Sequence, residues 1–221
     1  MTDYTPTDRT TLNRRPQRGR YDAATVHAIL DAGLIGHVGF VEDSLPVVTP
    51  TIYWREGARV YFHGSAASRT IRAAADGVPI CLTVSHLDGL VVARGAFYHS
   101  VNYRSVIAFG TARPVLLQTE KLAAMKGLID RLYPGRWDDI RPPSPAELAA
   151  VSVVYLDLEE VSDKVRADPP MDAEGDLDLP VWAGVVPLAV QAGAPEPCAK
   201  LGTGLDFGDL EGWTLERVTG G

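Results

Sequence analysis

The sequence predicts a mainly β domain with a few added helices, an antiparallel barrel rather than a doubly wound parallel sheet. Three observations carry this. Short runs rich in Val, Ile, Thr, Tyr and Phe recur between residues 34 and 115, separated by tight turn signals. Helical periodicity occurs in only a few stretches, which do not alternate regularly with the strands. Neither G-x-G-x-x-G after a strand nor G-x-x-x-x-G-K-S/T is present, so the two common nucleotide-binding loops are missing.

Residues 21–33 place Val26, Ile29 and Leu30 on one face and end in Gly33, a short amphipathic helix with a glycine stop. Two strands are expected at 34–42 and 46–54, joined by Asp43 and Ser44. A turn at Glu56 and Gly57 leads to a third strand at 59–63 and a helix over 65–76. A fourth strand is read at 78–86, continuing over 89–94 through a turn at Asp88 and Gly89. Residues 103–115 form a further β run with Gly110 as a bulge. Leu122, Met125, Leu128, Ile129 and Leu132 recur at helical spacing, and Pro134-Gly135 stops that helix. A short helix after Pro145 precedes a last strand at 151–161, with Val153, Tyr155 and Leu158 directed at the core. From Asp168 onward Pro, Gly and Asp are dense, interrupted by the apolar segment 179–188. The organisation is therefore an arm (1–20), a domain (21–167) and an extended C-terminal tail (168–221) that wraps the domain or a partner.

Composition narrows the function classes. Hydrophobic residues make up 46% and charged residues 22% of the 221, enough to bury a real core. A net charge of −7 argues against a nucleic-acid partner bound through its phosphates. No apolar run approaches the roughly 20 residues that span a bilayer, and the polar start lacks a signal-peptide core, so no membrane association and a cytoplasmic protein are expected. Arg14, Arg15, Arg18 and Arg20 read as a solvated arm or as one packed on a partner subunit. Cys81 and Cys198 show no metal spacing, and neither a disulfide framework nor a metal site is implied.

The most informative stretch is VYFHGSAASRTIR at 60–72. A strand stops at Gly64, and a hydroxyl- and Arg-bearing segment opens a helix. Unpaired N–H groups and the positive end of a helix dipole attract phosphate, and Ser68 and Arg69 stand where it would sit. The plainer reading is that Ser65 or Ser68 caps the helix while Arg69 and Arg72 are solvated charges.

Five stretches in order, RRPQRGRYD (14–22), PVVTPTIY (46–53), YFHGSAASRT (61–70), HSVNYRSVIAFG (99–110), and SDKVR (162–166) followed by VWAGVVPL (181–188), resemble the flavin-binding split barrels of the pyridoxamine 5′-phosphate oxidase-like superfamily, in its nitroimidazole-reductase-like branch. The resemblance implies a six-stranded antiparallel split β-barrel with flanking helices, binding FMN at the interface of a homodimer. It places the flavin ring along Thr49, Pro50, Thr51 and Tyr53, with Phe62 and His63 bordering the ring or ribityl chain. It places the phosphate on Ser68 and Arg69. Thr83, Tyr103, Arg104 and Ser105 are further cofactor-binding candidates, some reaching the partner's flavin. The implied activity is that of an oxidoreductase passing electrons from a reduced nicotinamide or other carrier to a small organic acceptor. A flavin- or haem-binding module without turnover is the alternative.

Relative to the pyridoxamine phosphate oxidases themselves, Ser68-Arg69 replaces an Arg-Lys pair, and their C-terminal substrate residues have no match in the tail. Several residues keep two readings. His63 is a strand-end histidine or a flavin neighbour able to donate a proton. Arg104 is a site residue or half of an ion pair. Trp182 covers a ring or anchors the tail, Arg166 touches flavin or closes a helix end, and His86 and His99 are structural.

Overall fold

The computed structural model describes residues 3–202. Asp22 opens α1 (Ala23–Asp31), its carboxylate accepting the Thr25 N–H, and the helix sets Val26, Ile29 and Leu30 into the core. β1 (Ile35–Glu42) and β2 (Leu45–Glu56) form a hairpin through Asp43 and Ser44, both at positive φ. That two-residue turn matches strand twist, so the pair stays in register to its end. β3 (Arg59–Ser65), α2 (Arg69–Ala75), β4 (Pro79–Val92), β5 (Ser100–Thr111) and the two-residue β6 (Arg113–Pro114) follow. Then come α3 (Gln118–Leu132), α4 (Arg136–Asp139), α5 (Pro145–Ala150), β7 (Val151–Asp157), β8 (Glu160–Arg166) and β9 (Gly184–Pro187).

The strands pair in the order β6-β7-β3-β2-β1-β4-β5-β8, with β9 added on β4, and all pairs are antiparallel. This is the split-barrel arrangement with nine strands among the described residues rather than the expected six. The stretch 151–161 is two strands, not one. It reverses at Leu158 and Glu159, sending β7 beside β3 and β8 beside β5. β6 and β9 supply the other additions. Because nearly every residue from 151 to 156 is apolar, alternation could not be read there. Val154 and Leu156 face the barrel core, whereas Val153 packs with Trp54 against α3, and Tyr155 lies beside Tyr61.

Two glycine readings are also corrected. β4 runs straight through the expected turn at Asp88-Gly89; a register shift between Leu87 and Gly89 makes Asp88 a bulge. Gly110 stays in register opposite Ile80, and a Cβ there would stand 2.8 Å from the Leu156 side chain, so close packing explains it.

The N-terminal arm lies on its own barrel. The Asp163 carboxylate, 1% exposed, accepts the N–H groups of Arg20 (2.9 Å) and Tyr21 (2.8 Å), and the Tyr4 hydroxyl meets His27 Nε2 at 2.9 Å. The tail is latched in turn. Arg166 donates to the Asn102 side chain and to the Asp168 and Pro169 carbonyls, so instead of closing a helix end it clamps the start of the tail to β5. Buried Asp172 accepts from Arg94 and Gly95. β9 then pairs with residues 89–92 of β4, while Trp182 stays exposed rather than anchored. The end of the tail, residues 203–221, lies outside the described residues.

Candidate functional site

Side-chain alternation gives the sheet an inner face, closed by the core, and an outer face left largely open. Cross-strand pairs sort the outer residues into rows. Pro50 of β2 lies opposite His37 of β1, His37 opposite Thr83 of β4, and Thr83 opposite Ile107 of β5. A step along β4 and β5, Ser85 pairs with Ser105, and Ser105 with Lys164. Around them Ile35, Val41 and Val48 are more than half exposed, an apolar sheet surface of the kind that marks a binding face. His63, two positions beyond Tyr61 on the outer side of β3, borders this face beside the Trp54 ring, 6.1 Å centroid to centroid.

The far end of β3 supplies the polar corner. Gly64 must be small because a Cβ would come 3.0 Å from Ile71. Ser68 stands at the N-cap of α2 with extended backbone, but its side chain makes no capping bond. Arg69 opens the helix, more than half exposed, and its guanidinium sits 3.5 Å from the Glu42 carboxylate. The Thr70 hydroxyl donates to Thr49 Oγ1 at 3.0 Å, tying α2 to β2.

The structure separates the sequence-predicted residues into five groups. Pro50, His63 and Thr83 present their side chains on the outer side, with Tyr103 and Ser105 on the same side of β5; Ser68 and Arg69 form the polar corner. Thr49 and Thr51 lie on the same strand but turn inward, opposite Val38 and Gly36, so only their backbone is available to an outer-face ligand. Tyr53 and Phe62 are wholly buried, paired across β2 and β3, with the Tyr53 hydroxyl donating to the Leu30 carbonyl. Their placement beside a ring is therefore corrected: aromatic strand residues flanking the site belong to the core because of strand parity. Arg104 forms a two-point ion pair with Asp88, at 3.0 and 2.9 Å. The sequence reading missed His37, though the two-residue turn at 43–44 fixes its partner as Pro50. It also missed Cys81, whose sulfur lies 3.7 Å from the Thr83 hydroxyl.

Electrostatics single out His63. Burial holds its imidazole below the ordinary histidine value, and its buried Nδ1 has no hydrogen-bond partner. It is therefore neutral at pH 7, and a protonated ring is disfavoured in the folded state. The unfolded chain then binds more protons between the depressed native value and about 6.5. Its contribution to stability is complete above that pH and is lost as the pH falls.

The family model for pyridoxamine 5′-phosphate oxidase matches residues 22–165. The chain belongs to this family. Among solved structures, the flavocytochrome Anf3 from Azotobacter vinelandii is 43% identical, covers 93% of this chain and 96% of its own, and superposes with a TM-score of 0.87. The FAD- and haem-binding protein from Mycobacterium smegmatis is 34% identical over 89% of this chain and 97% of its own, with a TM-score of 0.85. A 5-nitroimidazole antibiotic resistance protein from Bacteroides thetaiotaomicron shares the fold at 20% identity and a TM-score of 0.56, over 66% of this chain and 86% of its own. No curated protein matches the chain.

Proposed function

We propose that the protein is a flavin-dependent oxidoreductase, a cytoplasmic homodimer whose copies meet across the open sheet face with FMN between them. It would pass electrons from a reduced nicotinamide or another carrier to a small organic acceptor. The observation that carries this reading is the outer face itself. Pro50, Thr83, Ser105 and His63 border an exposed apolar surface that runs toward the exposed Arg69, and a second copy would cover the surface. The family membership and the flavin named in two relatives support it.

Bound flavin supplies hydride and single-electron chemistry. The chain supplies position. Pro50 offers a rigid apolar surface to a flat ring, and backbone groups not used in the ladder can read its polar edge. Arg69 exchanges its partly solvated pair with Glu42 for charge-assisted bonds to a phosphate. Neutral His63 holds its ring at the border of the face, able to hydrogen-bond to, or accept a proton from, a substrate bound there. No residue is asked to act as a nucleophile.

The same relatives are both named as haem proteins, which favours a second reading, a flavin- and haem-binding carrier or sensor without turnover. His99 fits such a group. His99 Nδ1 lies 3.1 Å from the Gly95 carbonyl, and donation along that line leaves Nε2 for a metal on an exposed ring, near the 91% exposed Phe97. His27 and His86 engage Nε2 in bonds within the chain.

Arg69→Ala tests the leading reading. FMN affinity should fall by about 1.5–3 kcal/mol, roughly 10- to 150-fold in Kd, by fluorescence titration. Riboflavin, which lacks the phosphate, should bind both proteins alike. Equal loss for both ligands, or none for either, removes Arg69 from the site. Anaerobic addition of NADH or NADPH then separates enzyme from carrier by whether the flavin bleaches.

A further inference from the structure

The outer side of the other sheet half carries an aromatic row that the proposed function does not use. Trp54 of β2 pairs directly with Tyr61 of β3, and Tyr61 directly with Tyr155 of β7, so the three rings form one line across three strands. The Trp54 and Tyr61 rings are stacked, 5.6 Å apart with 17° between planes, and Tyr61 and Tyr155 are 5.8 Å apart at 44°. Trp54 is 1% exposed beneath α3 and adjoins His63 at the border of the flavin face. Tyr155 ends the row with the Arg59 guanidinium 4.2 Å over its ring. The row thus runs from a dry indole beside the proposed cofactor to half-exposed phenols at the sheet margin.

We propose that Trp54, Tyr61 and Tyr155 form an electron relay that gives one electron to a bound, light-excited flavin and moves the vacancy to the protein surface. This rests on the flavin reading above, with light excitation making the flavin a strong one-electron oxidant. The excited flavin gains one electron and Trp54 loses it. Trp54 is restored by an electron from Tyr61, whose phenolic proton leaves to water. Tyr61 regains an electron and a proton as Tyr155 gives up an electron and its own phenolic proton is released. The net change is one electron gained by flavin, with one electron and one proton lost by Tyr155. The order of residues suits this direction. A phenol near water can shed its proton and settle as a neutral radical, and the Arg59 cation opposes positive charge on the Tyr155 ring, so proton and electron leave together.

Aromatic ladders also stabilise sheets by packing alone, so the test must read electrons. In a Trp137→Phe, Trp182→Phe, Trp213→Phe background, Trp54 is the sole indole. A laser pulse at the red edge of the indole band, in dioxygen-saturated buffer that takes up the ejected electron, oxidises Trp54 without any flavin. The indolyl radical should decay as a tyrosyl radical appears. Tyr61→Phe, which keeps the ring and the fold, should lengthen the indolyl lifetime at least tenfold, and Tyr155→Phe should leave the radical on Tyr61. An unchanged lifetime in Tyr61→Phe overturns the relay, whether or not the protein binds flavin. With FMN added, the flavin fluorescence should be quenched and should recover in Trp54→Phe. Failure of FMN to bind removes the flavin reading and leaves the flavin-free result to judge the relay; bound FMN equally bright in both proteins overturns transfer to the flavin.

Discussion

Phe62→Ala is expected to lower the unfolding free energy by about 3–5 kcal/mol, measured by denaturant unfolding, while the milder Phe62→Leu leaves flavin affinity unchanged. Phe62 is completely buried, opposite equally buried Tyr53, in the cluster that includes Val60, Ile71 and Val154. Truncation removes the transfer energy of the ring and leaves a cavity that two hydrogen-bonded neighbouring strands cannot collapse to fill. Tyr53 cannot swing into the space, since its hydroxyl is held by the Leu30 carbonyl at the end of α1. A loss below about 1 kcal/mol would contradict the inward orientation of Phe62. A large loss of flavin affinity in the well-folded Phe62→Leu protein would instead return the residue to the cofactor site.

That prediction turns on strand parity, and parity explains most of what was legible in the sequence and what was not. The β1–β2 hairpin could be read because Asp43-Ser44 is a two-residue turn between alternating strands, and its register held over eight pairs. The helix containing Leu122, Leu128 and Leu132 could be read from spacing; the strand expected to stop at Gly64 instead stays paired to Ser65, and the helix expected over 65–76 spans Arg69–Ala75. Facing was harder. A resemblance names strand stretches, but neighbouring residues on one strand point opposite ways, so Thr49, Pro50, Thr51 and Tyr53 could not all meet one ring through their side chains. Where a strand is apolar on both faces, as in 151–156, even its end was hidden, and the reversal at Leu158-Glu159 went unseen. The long-range latches were invisible for another reason. Asp163 with the Arg20 and Tyr21 N–H groups, and Asp172 with Arg94, join residues separated by 143, 142 and 78 positions. No local pattern encodes such a pairing, because the barrel alone brings the partners together.

Arg131→Ala should cost about 2–4 kcal/mol, although Arg131 touches neither the sheet face nor the polar corner. Its guanidinium, carried by α3, donates through Nη2 to the backbone carbonyls of Asp31 and Gly33 where α1 ends, and more weakly to Leu30, which also accepts the Tyr53 hydroxyl. A cation there also meets the negative end of the helix dipole. Burial pushes the Arg131 pKa down, and the nearby Asp31 carboxylate and Tyr53 act against that, so the charge is kept at a cost that its hydrogen bonds offset. Deleting the side chain takes the charged donor from the part-buried Asp31 and Gly33 carbonyls, while Leu30 keeps the Tyr53 hydroxyl, and bonds to a charged donor are worth about 1.5–3 kcal/mol each, though they do not add fully. Arg131→Lys should recover part of the loss, since all three contacts come from the single nitrogen Nη2, whose place an ammonium on a differently shaped stem takes only in part. Arg131→Met separates the roles further, keeping stem packing while losing the donors. The consequence reaches the site through α3, whose Ala124 and Leu128 lie over Trp54 and whose C-terminal turn this clamp fixes to α1. The Met and Lys variants should therefore change the Trp54 fluorescence along with the unfolding midpoint, read in a background where Trp137, Trp182 and Trp213 are Phe. Full stability in Arg131→Met would mean that water, rather than the guanidinium, satisfies the end of α1.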